Sequence, residues 1–417
     1  MREIRLKITG AKIYDPAAGE DGKQRDIYTD GSVIVSSGVV EETMDASSLV
    51  GMAGALDIHT HVLALSQLAR LTGSQALAEF DNPIKIMEKQ RALGYSYFVE
   101  AGVTGARAAE LENADHRYPI SHALLGFAGS QSGSRFLSMK HVGENAVEKM
   151  LTDLGEKKTG AAPRVHLPHL AERDGFLTLE SFLQKLDGRR CHISHLSHHC
   201  FERSGKRLVP AAQKAARLLA KHENVTFDSA PITFGGTVIF TAEKALSDRL
   251  ASVAKKEIIG HPASPYTALP YNYLKECYID SMLWINGMEF LLYLEDLSKV
   301  SLSVDFPSGG RVESYPFIIA CLMDAEKRNA FLNTLNPDAV KASSLSSIKR
   351  EYSLYEIARI TRSSPAAACA LDNRGNLRER SIADIVLYEP RGDIEEMFAN
   401  PRHVIIGGKP VTAPELL

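Results

Sequence analysis

The sequence predicts an α/β protein in which a TIM-like (β/α)8 barrel is inserted between two strand-rich termini. From Ala55 onward, short apolar runs alternate with segments of helical periodicity, which is typical of βαβ units around a parallel sheet. Both ends of the chain instead alternate apolar and polar residues between turn signals, which is typical of antiparallel strands. With 44% hydrophobic and 24% charged residues and a net charge of −3, the composition excludes a disordered chain and a polybasic nucleic-acid-binding protein.

The two termini are expected to form one small β-sandwich domain. Apolar and polar residues alternate from Ile4 to Ile8, and strands are expected again over Ala383–Tyr388 and His403–Ile406. Gly407-Gly408 after the last of these is a hairpin-turn signal. The expected division is residues 1–52 and 371–417 for the β-sandwich and residues 53–370 for the barrel.

The middle of the chain supplies the barrel elements in order. Seven barrel strands are predicted, and the one still needed, the fourth in chain order, has only a weak candidate over Arg135–Lys140. Strand four of the barrel is therefore expected to be weak or missing. The other strands are predicted over Ala55–Ile58, Tyr95–Glu100, Ile120–Ala128, Arg164–Leu167, Arg190–Ile193, Val225–Ser229 and Val300–Asp305. Helices are predicted over Pro83–Leu93, Pro210–His222, Ala242–Ala254, Ile279–Leu294 and Pro316–Leu335.

Several classes of protein are excluded by simple signals. The five cysteines lack the spacing of a disulfide framework, and the run Cys191–Cys200 fits no standard zinc finger. No apolar signal segment opens the chain, and the most apolar stretch, Met282–Leu294, is too short for a bilayer. A cytoplasmic protein without membrane or nucleic-acid partners is expected, and the lack of a Gly-rich phosphate loop predicts no nucleotide cofactor.

Two histidines close the first predicted barrel strand. In Asp57-Ile58-His59-Thr60-His61 the two-residue period of a strand puts His59 and His61 on the same face. They lie at the carboxyl end, where barrel enzymes keep their active sites, so the two imidazoles can chelate one metal ion. Taken alone, His-x-His could equally be a polar strand end without a ligand.

Later strands end in the same kind of residue. His166 and His192 each lie at a predicted strand end, His195 follows three residues on, and Asp305 closes the last strand. Four histidines and an aspartate at strand ends suit a Zn²⁺ centre that activates water. One or two ions, or another divalent metal, are compatible with these ligands. His198 and His199 are expected in a loop near the site.

Beyond single residues, several segments resemble the amidohydrolase superfamily. Within it the chain is similar to the A subunits of formylmethanofuran dehydrogenase and of formyltransferase/hydrolase complexes, in a short and divergent form. The resembling segments span almost the entire chain. They are Ile13–Pro16, Met52–His61, His192–His195, Val225–Asp228, Thr233–Gly235, Asp305–Gly310, Tyr315-Pro316 and Arg350–Arg362.

The resemblance implies an activity and its partners. It implies hydrolysis of the N-formyl group of a formylated methanofuran- or methylofuran-type C1 carrier to formate and free amine, or the reverse reaction. The chain would work with the other subunits of such a complex. Two alternatives stay open: a catalytically degenerate scaffold subunit of the complex, and a stand-alone amidohydrolase acting on another small amide.

The resemblance also implies roles for individual residues. Asp305 would be both a metal ligand and the base that deprotonates water, and His195 is a catalytic candidate and the reserve choice for the strand-six ligand. The metal ligands would be His59, His61, His166, His192 and Asp305. The residues expected to contact substrate or to support the ligands are His169, His199, Ser308, Gly309 and Gly310.

The chain departs from this family pattern in two places. The family's binuclear members bridge their metals with a carbamylated strand-four lysine, and between Phe127 and Arg164 only Lys140 is a candidate for it. Phe306 follows the aspartate where the subfamily has a histidine, and His169 stands where it has an asparagine. The number of metal ions is therefore left open.

Overall fold

The structure is a computed structural model that describes residues 5–103, 118–127, 135–138, 162–167, 175–205, 207–242 and 244–411. Within these residues an α/β architecture is present, as predicted. It contains two eight-stranded sheets, one built from both termini and one from the middle of the chain. No helix in this part of the chain is long and apolar enough to cross a membrane.

The terminal sheet joins strands that are far apart in sequence. Antiparallel pairing of Ile385–Tyr388 with Val50–Ala53 brings the two ends of the chain together, and Gly407 and Gly408 form the predicted hairpin turn with φ of 55° and 73°. All its strands belong to one hydrogen-bonded sheet with an apolar core of its own around Ile8, Ile13 and Ile385. The strands are β1 (Leu6–Asp15), β2 (Glu20–Asp30), β3 (Val33–Val35), β4 (Glu42–Asp45), β5 (Val50–Ala53), β19 (Ile385–Tyr388), β20 (His403–Ile406) and β21 (Lys409–Val411).

The central sheet carries the predicted barrel strands. Its strands pair in parallel, each with its neighbour in chain order, and Thr60 at one edge forms a parallel bridge with Phe306 just beyond the other edge. All the carboxyl ends therefore lie on the same side. The strands are β6 (Ala55–Thr60), β7 (Tyr95–Val103), β8 (Ser121–Phe127), β9 (Arg135–Ser138), β10 (Arg164–His166), β11 (Cys191–Ile193), β14 (Val225–Ser229) and β18 (Val300–Leu302).

Strand four, expected to be weak or missing, is present but short. β9 occupies that place and pairs with β8 on one side and with β10 on the other. Its four residues are too few to show an alternating pattern, so its place is fixed by hydrogen bonds to both neighbours.

Two small sheets, inserted between strands of the central sheet, were not predicted. The hairpin of β12 (Phe201–Ser204) and β13 (Arg207–Pro210) follows β11. A three-stranded sheet follows β14 and comprises β15 (Gly235–Thr241), β16 (Ile259–Gly260) and β17 (Thr267–Tyr273).

The helices lie between the strands largely where the apolar periodicity placed them. The single helix expected over Pro316–Leu335 is wrong, because Asp324 adopts an extended conformation (φ −136°, ψ 107°) and its side chain caps a second helix by accepting from Lys327 N. The described helices are α1 (Val62–Thr72), α2 (Pro83–Ala92), α3 (Gly175–Leu186), α4 (Ala212–Leu219), α5 (Lys244–Ala254), α6 (Tyr278–Tyr293), α7 (Tyr315–Met323), α8 (Ala325–Leu332), α9 (Pro337–Lys341), α10 (Leu354–Ala358), α11 (Ser364–Ala368) and α12 (Ile394–Ala399).

The main apolar core packs these helices against the central sheet. Phe98, Val165, Ile193 and Phe227 on four strands are all buried in it, and α6 is buried on nearly every side, with Trp284 fully enclosed. Burial of this kind is the main driving force for folding. The core fixes the strands, and the strands fix the side chains at their carboxyl ends.

Candidate metal centre

His59 and His61 at the end of β6 are each held by a hydrogen bond on Nδ1. The His59 Nδ1 atom lies 3.2 Å from Asp228 Oδ2, and the His61 Nδ1 atom lies 3.0 Å from the Ala101 carbonyl oxygen. A carbonyl and a carboxylate can only accept, so in each ring the hydrogen sits on Nδ1. In the neutral rings both Nε2 atoms then carry a lone pair, which is the form that binds metals.

Asp305 faces these two lone pairs. Its Oδ1 atom lies 3.5 Å from His59 Nε2 and 3.4 Å from His61 Nε2. No hydrogen-bond donor among the described residues reaches this buried oxygen. Two nitrogen lone pairs and a carboxylate oxygen that converge repel one another unless a positive charge lies between them.

The backbone of Asp305 is unusual and well supported. Its φ is 51°, in the left-handed region, and the preceding Val304 N donates to the Tyr315 hydroxyl at 3.1 Å. The Ser303 hydroxyl lies 2.7 Å from Asp57 Oδ1 and 2.8 Å from the His59 carbonyl oxygen, which ties this turn to β6. A strained conformation that neighbours hold in place is common at functional sites.

Electrostatics favour a cation at His59. Burial lowers the pKa of this imidazole, but the carboxylates of Asp228 and Asp305 outweigh burial and raise it overall. Positive charge is therefore stabilised at this ring, either as a second proton or as a metal ion at Nε2. The orphaned oxygen and the chemistry of the donors both fit a divalent ion such as zinc.

The two histidines at the end of β11 differ in their surroundings. His195 lies with His59 and Asp305 in a group whose potential ligand atoms are all within 4.8 Å of one another. His192 instead places Nε2 3.1 Å from Asp228 Oδ2 and Nδ1 2.9 Å from the Thr226 hydroxyl. Both ring nitrogens of His192 are thus engaged, whereas the reserve choice, His195, is the histidine that the structure brings to the centre.

His166 and His199 lie beside His195. The ring centroids of His166 and His195 are 4.3 Å apart, and those of His199 and His195 are 6.1 Å apart. Desolvation, the larger effect, and nearby His59 lower the pKa of His166 to about 3, and burial holds that of His199 well below its usual range. Both rings are therefore neutral at physiological pH and can act as ligands or as packing residues.

Ser308, Gly309 and Gly310 support the Asp305 turn. The Ser308 hydroxyl lies 3.2 Å from the Phe240 amide nitrogen, and Gly309 O accepts from Thr233 N at 2.8 Å. A Cβ atom on Gly310 would lie 2.0 Å from Thr233 Oγ1, and its φ of +155° also favours glycine. These contacts hold the segment against β15; the expected substrate role stays a prediction.

Two further predicted site residues are not tested by the structure. Lys140 and His169 lie outside the described residues.

Two features of the centre were not predicted from sequence. Asp228 at the end of β14 is fully buried and contacts both His59 and His192. Burial alone would raise its pKa, but these two histidines outweigh burial and hold the pKa well below its usual range. A carboxylate at a strand end is the signal that identified Asp305, and the same signal could have identified Asp228.

The second feature is an aromatic pair beside His61. The rings of Phe240 and Tyr266 stack at 4.4 Å, and the His61 ring lies 5.3 Å and 5.5 Å from them. The Tyr266 hydroxyl donates to the Ala101 and Gly102 carbonyl oxygens at 3.1 and 2.7 Å. Sequence gives no signal for this pair, because Tyr266 follows a loop of no regular pattern.

Comparisons with known proteins show which proteins this chain is similar to. The sequence profile of the amidohydrolase family matches residues 289–412. The A subunit of the formyltransferase/hydrolase complex Fhc of Methylorubrum extorquens is 27% identical over 490 residues, covering 97% of this chain and 88% of that protein. Protein FwdA of Methanocaldococcus jannaschii is 23% identical and covers 97% of this chain and 87% of its own length. Because the first alignment is longer than this chain, that relative carries segments that this chain lacks.

Solved structures show the same fold. The crystal structure of the complex FhcABCD from Methylorubrum extorquens with methylofuran matches with a TM-score of 0.88 at 23% identity, over 98% of this chain and 88% of that chain. A D-aminoacylase structure, from work on the role of its binuclear metal centre, matches with a TM-score of 0.57 at 13% identity, over 98% and 96%. The resemblance of this chain to the amidohydrolase superfamily, and within it to the A subunits of formyl-carrier complexes, is therefore confirmed.

Proposed function

We propose that this chain hydrolyses the N-formyl group of a formylated methanofuran- or methylofuran-type carrier to formate and free amine, or catalyses the reverse reaction. The observation that carries the proposal is the convergence of His59 Nε2, His61 Nε2 and Asp305 Oδ1 at the carboxyl ends of β6 and β18. Imidazole and carboxylate donors that meet in this way are the usual ligands of hydrolytic zinc centres. The similarity to the Fhc relative supports the choice of substrate.

The centre would hold its metal through His59, His61, Asp305 and a histidine from the end of β11, with His166 close to the last of these. When bound, the ion polarises a carbonyl group and lowers the pKa of water. The chain's own groups orient these donors: Asp228 and the Ala101 carbonyl fix the ring hydrogens on Nδ1.

Asp305 is placed to move the proton. The Asp305 carboxylate, whose Oδ1 atom has no hydrogen-bond donor among the described residues, accepts a proton as water adds to the formyl carbon. The same carboxyl group returns the proton to the carrier nitrogen as the carbon–nitrogen bond breaks, so the neutral amine and formic acid leave. Formic acid then ionises in water to formate and a proton. Tight support of the Asp305 turn keeps this carboxyl group in position for both steps.

The aromatic pair forms a wall on one side of the centre. Phe240 and Tyr266 are almost entirely buried and pack against His61. Apolar walls exclude bulk water and strengthen the electrostatic interactions at a reacting group.

We further propose that the chain works as one member of a formyltransferase/hydrolase or formylmethanofuran dehydrogenase complex. The Fhc relative, to which it is similar over nearly its whole length, comes from a complex of four named subunits, FhcABCD. The domain division at residues 52 and 370, and a sandwich form of the terminal sheet, remain part of this proposal.

The test is formate release by the assembled complex. Complexes reconstituted with the wild-type chain and with Asp305→Asn are compared on a formylated carrier, with Asp338→Asn on the exposed surface of α9 as the matched control. We expect the wild type and the control to release formate and Asp305→Asn to release almost none. Equal activity of the wild type and Asp305→Asn would refute catalysis by this chain and favour the scaffold hypothesis.

A further inference from the structure

One buried carboxylate contacts three groups around the proposed centre. Asp228 Oδ2 lies 3.2 Å from His59 Nδ1 and 3.1 Å from His192 Nε2, while its Oδ1 accepts the His195 backbone amide at 2.7 Å. These groups come from β6, from β11 and from the turn after β11. The side chain of Asp228 is entirely shielded from solvent, so each of these contacts is made in a poorly screened environment.

We infer that Asp228 is a positioning residue that selects His195, and not His192, as the histidine donated to the metal centre by the end of β11. The inference deepens the proposed function and rests on it only in assuming that the centre binds a metal ion. It departs from the ligand set that the family resemblance implies, in which His192 has this role.

The state of His192 follows from its two partners. Since Asp228 can only accept at Oδ2, His192 carries its hydrogen on Nε2. Its Nδ1 atom then accepts from the Thr226 hydroxyl at 2.9 Å. Neither nitrogen keeps a lone pair for a cation. Burial, the largest effect, and Arg164 lower the pKa of His192 to about 4, so the ring is neutral in this arrangement at physiological pH.

The state of His59 follows from the same carboxylate. The contact with Asp228 keeps the ring hydrogen on Nδ1 and leaves Nε2 facing Asp305 at 3.5 Å. An asparagine at position 228 has one acceptor oxygen and one amide group that donates. With its oxygen on the His195 amide, its NH₂ group faces the two rings, and His59 must then accept on Nδ1 and carry its hydrogen on Nε2.

Asp228 also fixes the direction of the His195 side chain. His195 has φ 35°, in the left-handed region that non-glycine residues rarely adopt, and its amide hydrogen bond to Asp228 holds the turn there. In this conformation the His195 ring lies 5.3 Å from the His59 ring, centroid to centroid. The selected histidine and the orientation of His59 therefore depend on one side chain.

The first test measures zinc binding by the metal-free full chain against a competing chelator. Asp228→Asn, His195→Gln, His192→Gln and Thr226→Val are compared with the wild type, and urea unfolding checks that each variant folds. Asp228→Asn is expected to weaken zinc binding about 10- to 100-fold, as loss of a residue that orients metal ligands does. His195→Gln should weaken it at least as much, whereas His192→Gln and Thr226→Val should bind within a few-fold of the wild type.

The second test reads the His59 tautomer directly. In ¹⁵N-histidine-labelled, metal-free protein at a pH where the ring is neutral, we expect the hydrogen on Nδ1 in the wild type and on Nε2 in Asp228→Asn. A merely structural role of Asp228 would lower stability without exchanging the two tautomers.

The outcomes separate the inference from the proposed function. Loss of zinc in His192→Gln with retention in His195→Gln would overturn the selection of His195 and leave the proposed function intact. Failure of the wild-type chain to bind zinc would instead count against the proposed function. Because the inference assumes a bound metal ion, that failure would overturn the inference as well. Zinc binding with the expected pattern among the variants, but no formate release by the assembled complex, would count against the proposed function alone.

Discussion

Substitution of Gly309 by alanine should displace the backbone at Asp305 while leaving the Asp305 carboxylate itself unchanged. A Cβ atom at position 309 would lie 2.2 Å from the Val304 carbonyl oxygen, and real Cβ atoms essentially never approach other atoms closer than 3.0 Å. The clash is with backbone, so no side-chain rotation relieves it. Val304 immediately precedes Asp305, and Gly309 N donates to the Asp305 carbonyl oxygen at 3.2 Å.

The geometry sets the size of the effect. One of the two segments must move by about 0.8 Å to restore a 3.0 Å contact. A displacement of roughly 1 Å at a catalytic group costs on the order of 100-fold in rate. Overpacking a well-packed site costs about 1–3 kcal/mol in the free energy of unfolding. Gly309→Ala should therefore lower kcat/KM for formate release about 100-fold and weaken zinc binding.

Gly236→Ala is the matched control. Gly236 lies on β15 with no atom within 4 Å of an added Cβ and without a left-handed φ. Zinc affinity, urea unfolding and formate release are measured for both variants. The control should change the free energy of unfolding by no more than about 0.5 kcal/mol. Wild-type zinc affinity and stability in Gly309→Ala would refute the account of how the Asp305 turn is held.

Three further predictions concern stability. Tyr266→Phe removes the hydroxyl that donates to the Ala101 and Gly102 carbonyl oxygens, and urea unfolding should show a loss of about 1–2 kcal/mol; no loss would contradict these bonds. Arg328→Met removes buried donors to the Cys321, Ile348 and Arg350 carbonyl oxygens, so its free energy of unfolding should fall by about 3 kcal/mol or more, and a smaller change would contradict this cross-link. Burial holds the pKa of His199 well below its unfolded value, so the unfolded chain binds the extra proton and stability falls as the pH drops below about 6.5. In metal-free protein, His199→Leu should reduce that slope by up to about 1.4 kcal/mol per pH unit, and an unchanged slope would show that His199 is not responsible.

The strand-end histidines could be predicted because strand geometry is local. The two-residue period places His59 and His61 on one face, and the parallel order of the sheet brings Asp305 to the same side. No tertiary information is needed to place His59 and His61 on one face of the strand.

The choice between His192 and His195 could not be predicted, because it depends on contacts between distant segments. The left-handed turn at His195 follows β11 and is held by Asp228, a residue of the next strand of the central sheet, β14. The alternation of side chains between the two faces of β11 cannot predict this turn, because the turn is held by a hydrogen bond to a residue of β14. For the same reason, the short strand β9 is recognised only from its pairing with β8 and β10.

Metal content per chain tests the central claim most directly. The protein is purified without chelators and compared by elemental analysis with His59→Ala/His61→Ala, while circular dichroism confirms that both chains are folded. The convergence of these two rings on Asp305 predicts at least one tightly bound divalent ion per wild-type chain and its loss from the double variant. A folded wild-type chain that binds no metal, even when supplied with zinc, would contradict the account.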